Sequence, residues 1–482
     1  MNYRMLGYFL SIVLLIEAGL MLLPMGVGLC YGENPLPFIF TILILLAVAL
    51  PSVIFKPKNR KIYAKEGFVC AAGTWVLMSF FGSLPFIFSG AITNPFEAFF
   101  ETVSGFTTTG ATILTAVEGL PKGILFWRSF THWVGGMGVL VFMLAIMPSK
   151  DGQTMYLMRA EVPGPTKGKL VAKMRQSSRI LYAIYMALTV IMIICLLCTG
   201  MPLFDSVVNS MGTAGTGGFG VLNNGIGGYN NPAAEWIIAT FMMLFGVNFN
   251  IYFMLLIGRK LKEVFKSEEF MTYIGLLIFA VTAISISVYS IYGNIGDTIR
   301  TAFFQVTSII STTGYSTVDY NLWPNFPKTI ILLLTVTGAC AGSTAGGLKI
   351  SRILIIIKGM LKEIKHVLRP RSVTVVRMDG EPVESETVRS AMGYLALYFT
   401  IMIFCTLLIA LDGFDFETSF TSMLTCLNNV GPGLGGLVGP AGNFSCFSNF
   451  SKLILSLTML FGRLEIMPMI ILLAPSTWLK KN

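Results

Sequence analysis

Four times along this chain a short cluster stands twelve positions before a glycine, each time between two long apolar runs. Ala98-Phe99-Phe100 leads to Thr108-Thr109-Gly110, and Ala302-Phe303-Phe304 leads to Thr312-Thr313-Gly314. Looser copies run from Ser206-Val207-Val208 to Thr216-Gly217-Gly218 and from Ser419-Phe420-Thr421 to Asn429-Val430-Gly431. Self-similarity of this kind restricts a chain to copies of one supersecondary unit. The unit reads as helix, half-buried re-entrant segment, helix, which is the plan of an ion pore. The competing reading, four ordinary loop turns, has to explain the shared spacing.

Of 482 residues, 54% are hydrophobic and 12% charged, too little polar cover for a soluble core of this size. The net charge of +10 does not point to nucleic acid, because the basic residues gather in short loops rather than on one face. Apolar stretches long enough for a ~30 Å hydrocarbon layer lie at 6–30, 37–55, 66–91, 123–147, 178–200, 233–258, 270–292, 327–357, 390–411 and 450–475. Ten crossings put both termini on one side. The first run is expected to be a retained helix rather than a signal peptide, since it is too long, carries Glu17 and lacks a small-residue cleavage site. Lys and Arg concentrate in alternate loops, at Lys56 to Lys65, Lys150 to Arg175, Arg259 to Lys262, Lys358 to Arg377 and Lys480 to Lys481. Those loops and both termini are expected to be cytoplasmic, with the four re-entrant segments open to the outside.

The eight cysteines fall mostly within apolar runs, so neither a disulfide lattice nor a zinc site is indicated. His132 and His366 are the only histidines, and each reads as structural or solvated. No set of nucleophile, base and metal ligands marks an intramembrane enzyme. A receptor or scaffold would not need four filter-like repeats.

Why would a pore want these residues? A short helix running inward from Glu97, Asp205, Asp297 or Glu417 carries an acid at its positive end and aims its negative end at the membrane centre, where a cation is stabilised. The extended Thr-Thr-Gly or variant beyond it offers carbonyls in place of the ion's water. Glycine supplies the positive φ that turns those carbonyls toward one axis. In the second copy Gly215 competes with Gly218, but Gly218-Phe219 matches Gly314-Tyr315 and keeps the spacing. Six residues before the glycine, the hydroxyls of Ser104, Ser308 and Thr425 are expected to brace the segment, a support that Gly212 denies the second copy.

The run 327–357 would extend ~46 Å as one helix, so it must bend or break. Gly338, Gly342, Gly346 and Gly347 make it a candidate plug under the filter, since irregular backbone at membrane depth needs protein or water around it. A tight helix crossing through small residues is the alternative. A phosphate-binding loop fails, because Leu348 stands where that motif needs lysine. Arg463, inside the last apolar run, is costly there unless it faces a cavity or partner. It either lies beside the ion path or pairs with Glu465 or a helix end. Glu235 is expected at an outer helix end and Glu17 between helices. The basic stretch Lys358 to Glu386 suits either a cytosolic partner or anionic lipid.

The four glycine segments, the run from Trp127 to Gly138 (WRSFTHWVGGMG) and the run from Gly338 to Lys349 (GACAGSTAGGLK) together resemble the TrkH/KtrB superfamily of bacterial potassium uptake proteins, over nearly the whole chain. Two apolar helices ahead of the first repeat place it nearer the TrkH branch. The resemblance implies an all-α polytopic membrane protein: four pseudo-symmetric helix, pore helix, helix repeats around one ion pore, after two extra transmembrane helices. The expected divisions are 1–60, then repeats at 61–150, 151–265, 266–380 and 381–482. It implies a homodimer, one pore per protomer, in the inner membrane, with potassium as cargo, no organic cofactor, and a TrkA-like cytosolic subunit that binds nucleotides. The filter positions carried over are Thr108, Thr109, Gly110, Thr216, Gly217, Gly218, Thr312, Thr313, Gly314, Asn429, Val430 and Gly431. The intramembrane gating loop falls on Gly338 to Gly347, and the family's arginine just inside the filter, where it limits potassium's dwell in the cavity, falls on Arg463. Plant relatives that pass sodium tend to have serine at the first glycine, where this chain has Gly110. The unequal segments imply imperfect discrimination against sodium. Gated conduction is favoured over proton- or sodium-coupled symport, because mid-membrane carboxylates are scarce.

Overall fold

The structure, a computed structural model, describes residues 1–55, 57, 63–138, 174–256, 258, 261–371 and 374–478. Much of the basic sequence that orients the chain, including Lys56, the stretch 139–173, Arg259, Lys260 and Lys480 to Lys481, lies outside the described residues, as does the end of the 123–147 run. Two hydrophobic elements come first: α1 (Tyr3–Leu20) with α2 (Leu22–Cys30), then α3 (Leu36–Ile54). From there one order of elements recurs. A long helix leads to a short helix, an extended segment and a second helix.

The long helices are α4 (Ala64–Gly82) with its extension α5 (Leu84–Phe88), then α8 (Met174–Cys198), α12 (Glu268–Tyr292) and α16 (Ser385–Ile409). The short ones are α6 (Pro95–Phe106), α9 (Leu203–Gly215), α13 (Ile295–Ile310) and α17 (Phe416–Asn428). At 12, 13, 16 and 13 residues they extend only ~18–24 Å, less than a ~30 Å core. Side-chain caps begin three of them: Asn94 accepts from Phe96 N–H, Asn294 from Gly296 N–H and Asp415 from Thr418 N–H.

Among the described residues the second helices are interrupted, as the run 327–357 was expected to be. α7 (Lys122–Gly136) ends after 15 residues. α10 (Pro232–Phe245) and α11 (Phe249–Leu256) meet at a 91° bend. α14 (Asn325–Thr337) and α15 (Ile350–Leu368) are separated by the whole glycine-rich stretch. α18 (Asn449–Arg463) is separated from α19 (Met467–Leu473) by positive-φ Glu465 and Ile466. Among the described residues six helices are long and apolar enough to cross a membrane, seven if the bent pair is one span. The chain is a multi-pass membrane protein. Hydropathy measures length and polarity and passes over an interruption made of Gly, Ala and Ser. The described chain is helical apart from loops and one hairpin, β1 (Arg377–Met378) with β2 (Glu381–Pro382).

Packing follows a circuit. Each short helix lies against the second helix of the preceding unit, α9 on α7, α13 on α10 and α17 on α14, and α6 packs on α18 of the last unit. The two ends of the chain meet: Tyr3 and Trp478 stack with ring centroids 6.4 Å apart, and Tyr3 hydroxyl donates to Trp478 carbonyl at 3.2 Å.

Candidate ion site

All four short helices end alike. Thr108, Thr216, Thr312 and Asn429 adopt left-handed φ of 55°, 56°, 57° and 54°, which halts the helix. The next N–H, of Thr109, Gly217, Thr313 or Val430, returns to the carbonyl of Ser104, Gly212, Ser308 or Thr425 at 2.9, 2.9, 2.8 and 3.0 Å. One residue later Gly110, Gly218, Gly314 and Gly431 take φ of 81°, 80°, 81° and 99°, a region that disfavours side chains. Gly215 is the last residue of α9 instead.

These glycines face one another's neighbours. A methyl group on Gly110 would strike Gly217 O, one on Gly218 would strike Thr313 O, one on Gly314 would strike Val430 O, and one on Gly431 would strike Thr109 O. The circuit runs from the first segment through the second, third and fourth and back to the first, so all twelve candidate residues come together. The threonines, Asn429 and Val430 are wholly buried, while the four glycines line an open cavity of about 150 Å³ on one side. Asn429 Nδ2 donates to Thr109 Oγ1 at 2.9 Å and to Met459 O at 3.0 Å, tying the last segment to the first.

The expected hydroxyl brace holds once: Ser308 Oγ donates to Tyr315 O at 2.6 Å. Thr425 Oγ1 turns back to Ser422 O, and Ser104 Oγ has no partner among the described residues. The brace common to all four is the backbone carbonyl, which Gly212 supplies as well as serine does. The bare Gly212 instead makes room for the Tyr315 hydroxyl, which donates to Phe219 O at 2.9 Å. Three of the acids at the short helices' starts are engaged: Glu97 by Lys452 at 2.6 Å, Asp297 by Arg300 at 2.9 Å and Asp205 by Tyr229 hydroxyl at 3.0 Å. Arg300 also holds Glu235 at 2.9 Å, in the first turn of α10.

On the side away from the cavity, residues 338–349 run under the third and fourth segments. Gly338, Gly342 and Gly347 have φ of 67°, 71° and 79°, and Gly338 and Gly347 lie back to back with no space for a side chain. Gly346 N–H donates to Thr312 Oγ1 at 2.7 Å, and a methyl on Gly346 would strike Asn428 O. The stretch is therefore bonded directly to the carbonyl circuit. Arg463 joins it from the other side, through Thr344 O at 2.8 Å and through Gly135 O and Gly136 O at the end of α7, at 2.6 and 2.8 Å. Of the two structural pairings open to Arg463, the one with a helix end is made, at the end of α7, while Glu465 binds Arg352 at 2.8 Å.

The model of the TrkH family, cation transport proteins, matches residues 35–481. The chain belongs to the TrkH family. It is 35% identical to the Trk system potassium uptake protein TrkH of Salmonella typhimurium over 99% of this chain and 100% of the relative, and 34% identical to the Escherichia coli K12 protein with the same coverage. The crystal structure of the potassium transporter TrkH from Vibrio parahaemolyticus superposes with a TM-score of 0.89 at 29% identity, covering 99% of this chain and 100% of that one. TrkH is a family of transporters, not of enzymes.

Sequence reasoning about this TrkH chain passed over several residues of the site. Glu269, at the start of α12, accepts Ala341 N–H at 2.6 Å and Ser351 N–H at 3.3 Å, so one carboxylate ties the 338–349 stretch to the first turn of α15. Lys349, buried with φ of 71°, donates to Ala345 O within it. His132 is structural: its Nδ1 donates to Gly105 O at 2.7 Å, and its ring fills the space beside Gly217. The cost of a buried charge that singles out Arg463 also marks Glu269.

Proposed function

We propose that this chain takes up potassium across the inner membrane through a gated, channel-like pore, the twelve residues of the circuit forming its selectivity filter. The observation that carries this reading is the closed ring of four positive-φ glycines, each against the next segment's carbonyl. Carbonyls gathered from four sides replace an ion's hydration shell without a fixed charge. Short helices pointing their negative ends at the ring add to the attraction. The named relatives take up potassium. On this reading residues 338–349 are the gate and Arg463 its latch, with four pseudo-symmetric repeats at 61–150, 151–265, 266–380 and 381–482 surrounding the path after the two helices of 1–60.

The assembly is a homodimer, one pore per protomer, regulated by a TrkA-like cytosolic subunit that binds nucleotides. Both termini are cytoplasmic: they meet at Tyr3 and Trp478, Lys65 Nζ donates to Ser476 O close by at 3.1 Å, and the sequences 56–65 and 480–481 are rich in lysine. Conduction is favoured over symport because the buried carboxylates of the repeating units, Glu66, Glu101, Glu235 and Glu269, are each engaged by arginine or by backbone N–H, while Glu17, which has no hydrogen-bond partner among the described residues, lies on α1 outside them. Rubidium flux into proteoliposomes, with sodium and potassium competing, tests the reading. A voltage alone should drive uptake, and uptake that instead requires a proton gradient would sink the channel mechanism.

A further inference from the structure

Glu101 on α6 and Arg128 on α7 form an ion pair at 2.6 Å, with 0% and 4% of their side chains exposed. A charge pair withdrawn from solvent is a poor source of stability, so what else it touches matters more than its existence. One Glu101 oxygen accepts from Arg128 Nε and, at 2.9 Å, from Thr112 Oγ1; the other accepts from Ile113 N–H at 2.9 Å. Arg128 Nη1 donates to Gly220 O at 3.3 Å, and its guanidinium lies over the Phe219 ring at 3.6 Å. Thr112 and Ile113 follow Gly110 by two and three residues, and Phe219 and Gly220 follow Gly218 by one and two. The other two segments join the same knot. Phe219 O accepts from the hydroxyl of Tyr315, next to Gly314, and Thr112 O accepts from Phe444 N–H of the last unit at 2.8 Å. Arg128 also lines the cavity that leads to the glycines.

We propose that Glu101 and Arg128 are positioning residues of the filter: they hold the first and second carbonyl segments at a fixed separation, and so help set which cation the ring prefers. In addition, Glu101 cancels the arginine's charge at the mouth of a cation path. The inference rests on reading the four segments as a filter. A guanidinium serves three contacts at once, since its rigid fork reaches Glu101 and Gly220 while its flat face stacks on Phe219. A lysine ammonium supplies a point charge and no flat face.

Proteoliposome uptake measures the effect. Arg128→Lys should lower the preference for rubidium over sodium about five- to tenfold, the scale of coupling between touching residues. Glu101→Asp keeps both charges but draws the carboxylate away from Ile113, and should shift the preference the same way; it carries the test if Arg128→Lys does not purify as a monodisperse protein. Glu101→Gln leaves the arginine uncompensated and should raise the half-saturating rubidium concentration several-fold. Adding Arg128→Gln should bring that concentration back, and failure to do so overturns the charge-cancelling role. Unchanged preference in Arg128→Lys and Glu101→Asp, where Gly314→Ser does change it, overturns the positioning role and leaves the filter reading standing. If Gly314→Ser is equally inert, the filter reading falls and takes this inference with it.

Discussion

Replacing Arg463 with alanine tests whether residues 338–349 close the ion path. Among the described residues the guanidinium makes three bonds to carbonyls, one to Thr344 within that stretch and two to Gly135 and Gly136 on α7. Hydrogen bonds to a charged group contribute ~1.5–3 kcal/mol each. The α7 bonds exist whether the stretch lies across the path or has moved, so they cancel from the difference between closed and open. Only the Thr344 bond is given up on opening. Its loss shifts the equilibrium by ~1.5–3 kcal/mol, about ten- to a hundredfold in the open-to-closed ratio. Removing a cation from beside the path acts in the same direction, because a passing ion is no longer repelled. Planar-bilayer open probability and rubidium uptake, measured without any cytosolic subunit, should both rise. Melting temperature should fall, since two α7 carbonyls lose their donor. Lower stability with unchanged opening and uptake would refute the latch and leave Arg463 as an anchor for α7.

Three further substitutions bear on the same account. Glu269→Gln keeps an acceptor for Ala341 and Ser351 N–H but removes its charge, a loss of about 1 kcal/mol; open probability should rise about fivefold in ratio, and no change would reject the tether. Gly314→Ser puts a side chain at φ 81° against Val430 O and 2.8 Å from Pro432 Cδ; the preference for potassium over sodium should weaken, and unaltered competition would remove Gly314 from the filter. Glu17 is fully buried, and its carboxyl oxygens have no hydrogen-bond partner among the described residues. Glu17→Met should therefore raise the melting temperature by a few degrees with ion preference unchanged, because an uncompensated buried polar group costs ~1–3 kcal/mol; a lower melting temperature would contradict that.

The four positive-φ glycines of the circuit were legible in the amino-acid sequence because the backbone favours glycine there: a positive φ within reach of a neighbouring carbonyl strains any side chain, so the requirement leaves its mark at fixed spacing. The hydroxyl brace was misread for the opposite reason. A backbone carbonyl does that work at Ser104, Gly212, Ser308 and Thr425 alike, and every residue type carries one. Partnerships were hidden by distance along the chain, which is 34 residues for Thr312 and Gly346, 72 for Glu269 and Ala341, and 113 for Arg352 and Glu465.

The interruptions of the second helices were only half visible, since glycine content marks where a helix can break and not what then satisfies its freed groups. In the fold, two breaks satisfy each other. Cys340 N–H donates to Gly246 O at 3.2 Å, and Phe249 N–H, just past the 91° bend, donates to Gly342 O at 3.0 Å. Thr344 Oγ1 adds a bond to Phe245 O at 3.2 Å. At membrane depth such groups need a partner from protein or from water in the path. Displacing 338–349 from beneath the ring therefore frees the bend between α10 and α11 as well, and the two breaks have to move together or be wetted together.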